Sequence, residues 1–272
     1  SKKVEQYCEP EIMNSSDTLF ILYTSGTTGN PKGIMHDTGG YLTQAYWSTK
    51  WNFNLLEKDV IWCTADIGWI TGHTYSCYGP LSLGGTLVLY EGGLDYPNPG
   101  RWWKIVDENK VTSFYTAPTA IRMFMRLGEK WVNKYKLDSL KVLGTVGEPI
   151  DSDAWNWYFN KIGKGRCPII DTWWQTETGA NMVNALPGVG PFIPGVAGRS
   201  FPGIKHEVVN EKGRKSKKGF LVQLSPFAPA MLQGIFRNKK RYRETYWKRF
   251  KGKYDTSDGA FYYDKDNIRI TG

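Results

Sequence analysis

Apolar residues fall into short unbroken runs over the first two-thirds of the chain. They occupy residues 19–24, 60–64, 86–90, 112–115, 140–145 and 168–171. Runs that are apolar throughout, rather than alternating, suit strands buried on both faces of a parallel sheet. Amphipathic stretches at residues 39–51, 118–127 and 151–162 lie between them and read as helices. This alternation predicts an α/β fold, a mostly parallel sheet with flanking helices.

The texture changes after Asn181. Residues 185–203 are rich in Gly and Pro and read as a long loop or linker. Beyond them, residues 204–210 and 219–224 read as strands separated by a basic turn. Residues 261–263 and 268–270 flank a turn at 264–267, which predicts a hairpin. Residues 237–247 read as a basic helix. The expected division is an α/β subdomain over residues 1–195 and a small β-rich, barrel-like subdomain over 196–272. No internal repeat is visible.

Composition narrows the class. At 272 residues, 40% hydrophobic and 22% charged, the chain is globular, neither disordered nor collagen-like. Its apolar runs fall far short of the roughly 18–20 residues that span a bilayer, so no membrane association is expected. Ser1-Lys2-Lys3 opens on a polar stretch, not a signal peptide, and without an initiator Met the sequence reads as a piece of something longer. Cys8, Cys63, Cys77 and Cys167 are scattered, and with only three histidines no zinc-ligand spacing exists. Free thiols point to a reducing, cytoplasmic setting. The net charge of +9 is regional: residues 205–253 hold 15 Lys and Arg against 3 Glu, and the rest of the chain is slightly acidic.

Five segments carry candidate chemistry. The first is Tyr23-Thr24-Ser25-Gly26-Thr27-Thr28-Gly29-Asn30-Pro31-Lys32-Gly33, read as a loop after a buried strand and before a helix. Its glycines and hydroxyls let N–H and O–H groups converge on phosphate oxygens, with Lys32 to offset charge. It is not a Walker loop, because Pro31 and Gly33 stand where that motif needs Gly and Ser or Thr. The second is Asp171-Thr172-Trp173-Trp174-Gln175-Thr176-Glu177-Thr178-Gly179, at the carboxyl end of an expected strand, where ligands of open α/β sheets collect. There a Thr hydroxyl can meet a phosphate and a Glu carboxylate can bind Mg²⁺. Gly147-Glu148-Pro149 is a tight turn whose backbone could meet a flat base. The fourth is the stretch from Thr64 to His73, also after a strand. Thr256-Ser257-Asp258-Gly259 offers a carboxylate to ribose hydroxyls, although Asp-Gly alone reads as a turn.

In this order the segments resemble the AMP-forming adenylating superfamily, and within it the acetyl-CoA synthetases, over nearly the whole chain. The Tyr115-Thr116-Ala117-Pro118-Thr119 stretch matches a further signature. The resemblance implies two half-reactions: an acid and ATP give acyl-AMP and pyrophosphate, then CoA displaces AMP to give the thioester. It implies that Thr24, Ser25, Gly26, Thr27, Thr28, Gly29 and Lys32 hold the β/γ-phosphates. Thr176 would touch the α-phosphate and Glu177 would bind Mg²⁺. Gly147, Glu148 and Pro149 with Asp171, Thr172, Trp173, Trp174 and Gln175 would line the adenine, and Asp258 would hold the ribose.

Trp174 stands where relatives taking longer acids have Gly. Its indole, with Trp69, Ile70, Thr71 and Val146, would leave room for about two or three carbons, so acetate is the expected acid and propionate a poor one, with a propionyl-CoA or other short-chain acyl-CoA synthetase as the alternative. Thr71 suits either the pocket wall or a CoA contact. Asp95 stands where acetyl-CoA synthetases have Asn, and a carboxylate there would repel an anionic ligand. The resemblance also places a nucleotide-contacting Arg, a hinge and an adenylation Lys beyond Gly272, and CoA-contacting basic residues before Ser1. The chain is thus expected to be part of a larger enzyme and to have little ligase activity alone. The interleaved bases and aromatics of residues 237–254 admit a rival reading as a single-strand nucleic-acid binder, but a solvated helix with aromatics packed inward is favoured.

Overall fold

The computed structural model describes residues 7–25 and 30–272. Two antiparallel strands open the fold, β1 (Thr18–Thr24) and β2 (Lys32–Asp37), paired from Phe20 opposite His36 to Thr24 opposite Lys32. α1 (Thr38–Phe53) starts at once, because the Asp37 carboxylate accepts from the Tyr41 amide at 3.1 Å and caps its free amino end.

A parallel sheet follows. It contains β3 (Val60–Cys63), β4 (Thr86–Leu87), β5 (Ser113–Thr116), β6 (Val142–Thr145) and β7 (Ile169–Asp171), in the order β4-β3-β5-β6-β7. Helical crossovers join the strands, as parallel pairing demands. The first comprises α2 (Ile70–His73), a π-helical turn Thr74–Tyr78 and α3 (Gly79–Ser82). The others are α4 (Arg101–Glu108), α5 (Pro118–Leu127), and α6 (Ser152–Trp157), which runs on as a π-helical turn Tyr158–Ile162. Trp62, Trp102, Trp103, Phe114, Phe124 and Tyr158 form an aromatic core between sheet and helices. All four residues of β5 and of β6 are buried, consistent with strands covered on both faces.

The remainder is mostly β. β8 (Val183–Asn184) pairs with β9 (Arg199–Ser200) across the Gly- and Pro-rich loop. Then come β10 (Lys205–Val209), β11 (Lys218–Leu224), β12 (Gly234–Ile235), α7 (Lys239–Tyr246), β13 (Tyr254–Tyr262) and β14 (Ile268–Ile270). β10, β11, β13 and β14 form an antiparallel half-barrel. The fold class is thus α/β with a smaller β-rich unit. Among the described residues no helix is long and apolar enough to cross a membrane.

Three local expectations change. Residues 19–24 do not join the parallel sheet; β1 is the edge of a separate antiparallel sheet, β1-β2-β12. This small sheet has one face open at β1, where Ile21 and Tyr23 stand exposed. The glycine-rich loop therefore links two strands of a hairpin and does not run into a helix; the helix begins only at Thr38. The run at 86–90 pairs only at Thr86 and Leu87. The helices at residues 70–82 and 101–108 were not anticipated.

Candidate active site

Neighbouring strand ends of the parallel sheet set the floor of the site. Thr116 sits opposite Thr145, and Thr145 opposite Asp171. A hydrogen-bonded line crosses these carboxyl ends. The Thr145 hydroxyl donates to Asp171 Oδ1 at 2.8 Å, Thr172 Oγ1 donates to the Thr145 carbonyl at 2.7 Å, and the hydroxyls of Thr172 and Tyr115 meet at 2.6 Å. Trp174 Nε1 donates to Tyr115 at 3.3 Å. Ligands of open parallel sheets bind in this position.

Above this floor lies a cleft of about 290 Å³. Its lining gathers Gly147, Glu148 and Pro149, the Asp171-to-Gln175 stretch, and Asp258. These segments are up to 111 positions apart in the chain and share one cavity. Gly195, Ala197, Ile270 and Gly272 complete it and carried no signal in the sequence. Gly147 turns the chain with φ +95°, which other residues adopt only with strain, and a Cβ there would meet only open space. The backbone thus offers an unobstructed flat surface.

Asp258 enters from β13, not from a simple turn. Ser257 adopts φ +65° and the β11–β13 register shifts beside it, a bulge that re-aims the next side chain. One carboxylate oxygen, Oδ2, receives Trp173 Nε1 and Gln175 Nε2, each at 2.9 Å. Burial raises the Asp258 pKa against these two donors. Burial likewise pushes Asp171 up to about 7, with the Thr145 hydroxyl opposing. At Glu148 burial works against ionisation, but the Thr119 hydroxyl and Arg122 guanidinium outweigh it and hold the pKa low.

A second cluster ties the glycine-rich loop to the Thr176–Glu177 turn. Lys32 Nζ lies 2.9 Å from Glu177 Oε1, with both side chains nearly buried. Tyr246 of α7 donates to the same oxygen at 2.6 Å and accepts from Lys32 at 2.9 Å. Burial and the adjoining carboxylate keep this phenol protonated, so it remains a donor. Buried His36 links the turn to the next segment, its ring nitrogens 2.7 Å from the Thr176 carbonyl and 3.0 Å from that of Ala230. Thr24 Oγ1 is buried without a partner among the described residues, and Ser25 is exposed. Gly26, Thr27, Thr28 and Gly29 lie outside the described residues.

The expected acyl-pocket residues are only partly assembled. Trp174 packs with Val146 in one apolar cluster and with Ile70 in another. Its ring meets Tyr75 edge-on, 5.4 Å between centroids. Trp69 is 71% exposed and, with Thr71, lies outside the cleft lining. Asp95 is exposed in the loop before α4.

Comparison with known proteins settles the family. The AMP-binding enzyme family matches residues 1–224. The chain belongs to that family. Its relatives include three bacterial acetyl-coenzyme A synthetases, each 50% identical to it. That of Wolinella succinogenes aligns over 98% of this chain and 42% of its own length, that of Chlorobaculum tepidum over 97% and 40%, and that of Campylobacter jejuni over 99% and 42%. The chain thus spans about two-fifths of the length of the curated relatives it matches.

Within this AMP-binding family member, His36 and Tyr246 reach the candidate site although neither was a candidate residue in the sequence. A lone buried His in a strand gives no signal. Tyr242 and Tyr246, four positions apart on the basic helix, did signal an inward face. Tyr246 stacks on Tyr254, with ring centroids 5.4 Å apart, and Trp247 packs edge-on against the same ring.

Proposed function

We propose that the chain is the nucleotide- and acyl-binding part of an ATP-dependent acetate–CoA ligase. An acetate oxygen attacks the α-phosphorus of ATP, the bond to the bridging oxygen breaks, and pyrophosphate leaves acetyl-adenylate; the CoA thiol then displaces AMP. The observation that carries this reading is the single cleft uniting Gly147–Pro149, Asp171 to Gln175 and Asp258. It is supported by the 50% identity to acetyl-coenzyme A synthetases over nearly the whole chain. The division near residue 195 and a reducing, cytoplasmic setting, in keeping with four free thiols, belong to the same proposal.

In this mechanism the protein works by positioning and charge neutralisation. The 147–149 turn and Asp171 hold the adenine, and Asp258 takes the ribose. Thr176 meets the α-phosphate, while Thr24, Ser25 and Lys32 with the intervening glycines and threonines take the outer phosphates. Trp174, Ile70 and Val146, with Thr71 and Trp69, close the acyl end and leave space for two carbons.

Glu177 fits Mg²⁺. Among the described residues no group of three or more His, Cys, Asp or Glu side chains is placed to hold a metal ion by itself. A single carboxylate completed by phosphate oxygens is, however, an ordinary Mg²⁺ donor set. Glu177 Oε1 holds Lys32 and Tyr246, and Oε2 makes no hydrogen bond among the described residues. Bound there, the cation would neutralise phosphate charge as pyrophosphate leaves.

ATP–pyrophosphate exchange across a series of carboxylic acids, on the protein that carries this chain, tests the reading. Acetate should support the fastest exchange and propionate a slower one. Exchange with no short acid would overturn it.

A further inference from the structure

α7 touches the phosphate end of the proposed site at two points, both outside the cleft lining. Arg241 donates from Nη2 to the Asn30 carbonyl at 2.8 Å and from Nη1 to the Pro31 carbonyl at 3.3 Å. These carbonyls immediately precede Lys32 at the carboxyl end of the glycine-rich loop. Five residues further along the same helix, about 7–8 Å along its axis, Tyr246 binds both Lys32 and Glu177. The Lys32 ammonium also lies 5.1 Å from the centre of the Tyr246 ring. One short helix therefore holds the end of the loop, its cation and the carboxylate opposite.

The chemistry of each contact suits a group that sets others in place. Fixing the consecutive carbonyls of Asn30 and Pro31 holds the backbone just before Lys32 in place before a phosphate arrives, which lowers the cost of binding. A planar guanidinium presents rigidly spaced N–H groups, so one side chain serves both carbonyls in a fixed geometry that a flexible ammonium does not impose. At Tyr246 a single hydroxyl serves two partners, donating to Glu177 and accepting from Lys32. If a phosphate draws the ammonium away, the O–H···O bond still anchors Oε1 of Glu177.

We propose that Arg241 and Tyr246 are positioning residues for the outer phosphates of the nucleotide, Arg241 through the loop carbonyls and Tyr246 through Lys32 and Glu177. This rests on the reading of the site as an ATP site. It also gives a role to the basic, aromatic-rich stretch, which sequence alone favoured as a solvated helix with aromatics packed inward. Neither side chain lines the cleft assigned to base and ribose, so their effect should be confined to the β- and γ-phosphates.

Calorimetric binding of ATP and of AMP, with Mg²⁺, to the protein that carries this chain separates this role from a structural one. Arg241→Ala should weaken ATP about tenfold while AMP stays within twofold, and Arg241→Lys should recover part of the loss. Tyr246→Phe retains the ring and packing; it should weaken ATP several-fold, leave AMP unchanged, and raise the Mg²⁺ concentration needed for half-maximal ATP binding. Equal losses for ATP and AMP, or no loss for either, would overturn the proposal while leaving the ATP site intact. Failure of the unsubstituted protein to bind either nucleotide would remove the underlying reading and this inference with it.

Discussion

The indole Nε1 of Trp173 donates to Asp258 Oδ2 at 2.9 Å, joining the end of β7 to β13 across 85 positions of sequence. Gln175 supplies a second donor to the same oxygen and anchors itself on the Thr256 carbonyl at 2.7 Å. With Oδ2 so occupied, Oδ1 is the oxygen left to accept from a ribose diol. A hydrogen bond to a charged group is worth about 1.5–3 kcal/mol. Asp258→Ala should therefore weaken AMP roughly tenfold to a hundredfold and abolish any preference for ribose over 2′-deoxyribose nucleotides. Paired titrations with AMP and 2′-deoxy-AMP check this; a variant that still prefers ribose would place the diol elsewhere.

Asp171 makes stability depend on pH. Its pKa is raised from 3.8 to about 7 by burial. Between about pH 4 and pH 7 the folded protein keeps a proton that the unfolded chain has lost, so stability falls as pH rises through that window. At 1.36 kcal/mol per unit the loss reaches about 4 kcal/mol at most. Asp171→Asn keeps an acceptor for the Thr145 hydroxyl and removes the titration. Urea midpoints at pH 5 and pH 8 should converge in the variant relative to the native protein. An unaltered pH gradient would mean that other groups set it.

The parallel sheet was legible because burial on both faces leaves continuous apolar runs; residues 112–115 and 140–145 lie within a residue or two of β5 and β6. β1 misled for the same reason. Its residues are as apolar as those of a central strand, but its only partner among the described residues is β2, which makes it the edge of a separate antiparallel sheet, and composition does not encode that choice of partner. The cleft was legible in its motifs, since strand-end turns hold their chemistry locally. The Lys32–Tyr246 contact was not, because it joins residues 214 positions apart that meet only when α7 docks. Trp69, whose residue type suits a pocket wall, stands at the N-cap of α2 and is 71% exposed, a placement that residue type alone does not fix.

Lys32 and Glu177 form an ion pair with side chains only 13% and 11% exposed. Removing one partner of such a pair leaves an uncompensated charge and costs about 3–5 kcal/mol. Glu177→Gln should lower stability by that order, and Lys32→Met added to it should recover part of the loss. A double-mutant cycle in urea reads the coupling directly. Strictly additive losses would show that solvent, rather than the partner, balances each charge.

In the proposed acyl pocket, Trp174 sets the length of acid that fits. Its ring stands edge-on to Tyr75 at 86° and its Nε1 binds Tyr115, so two aromatic neighbours fix its orientation. Val146 and Ile70 pack around it. Trp174→Gly would remove the indole and leave a channel toward Tyr75 and Tyr115. Each methylene accommodated in an apolar pocket is worth about 1–3 kcal/mol. Exchange with a four- to six-carbon acid should then rise tenfold or more relative to acetate, while acetate itself slows as its wall disappears. Because Trp174 also contributes to packing, a stability loss alone would not distinguish roles; the ratio between acids does. An unchanged chain-length profile in a folded variant would move the end of the acyl pocket away from Trp174.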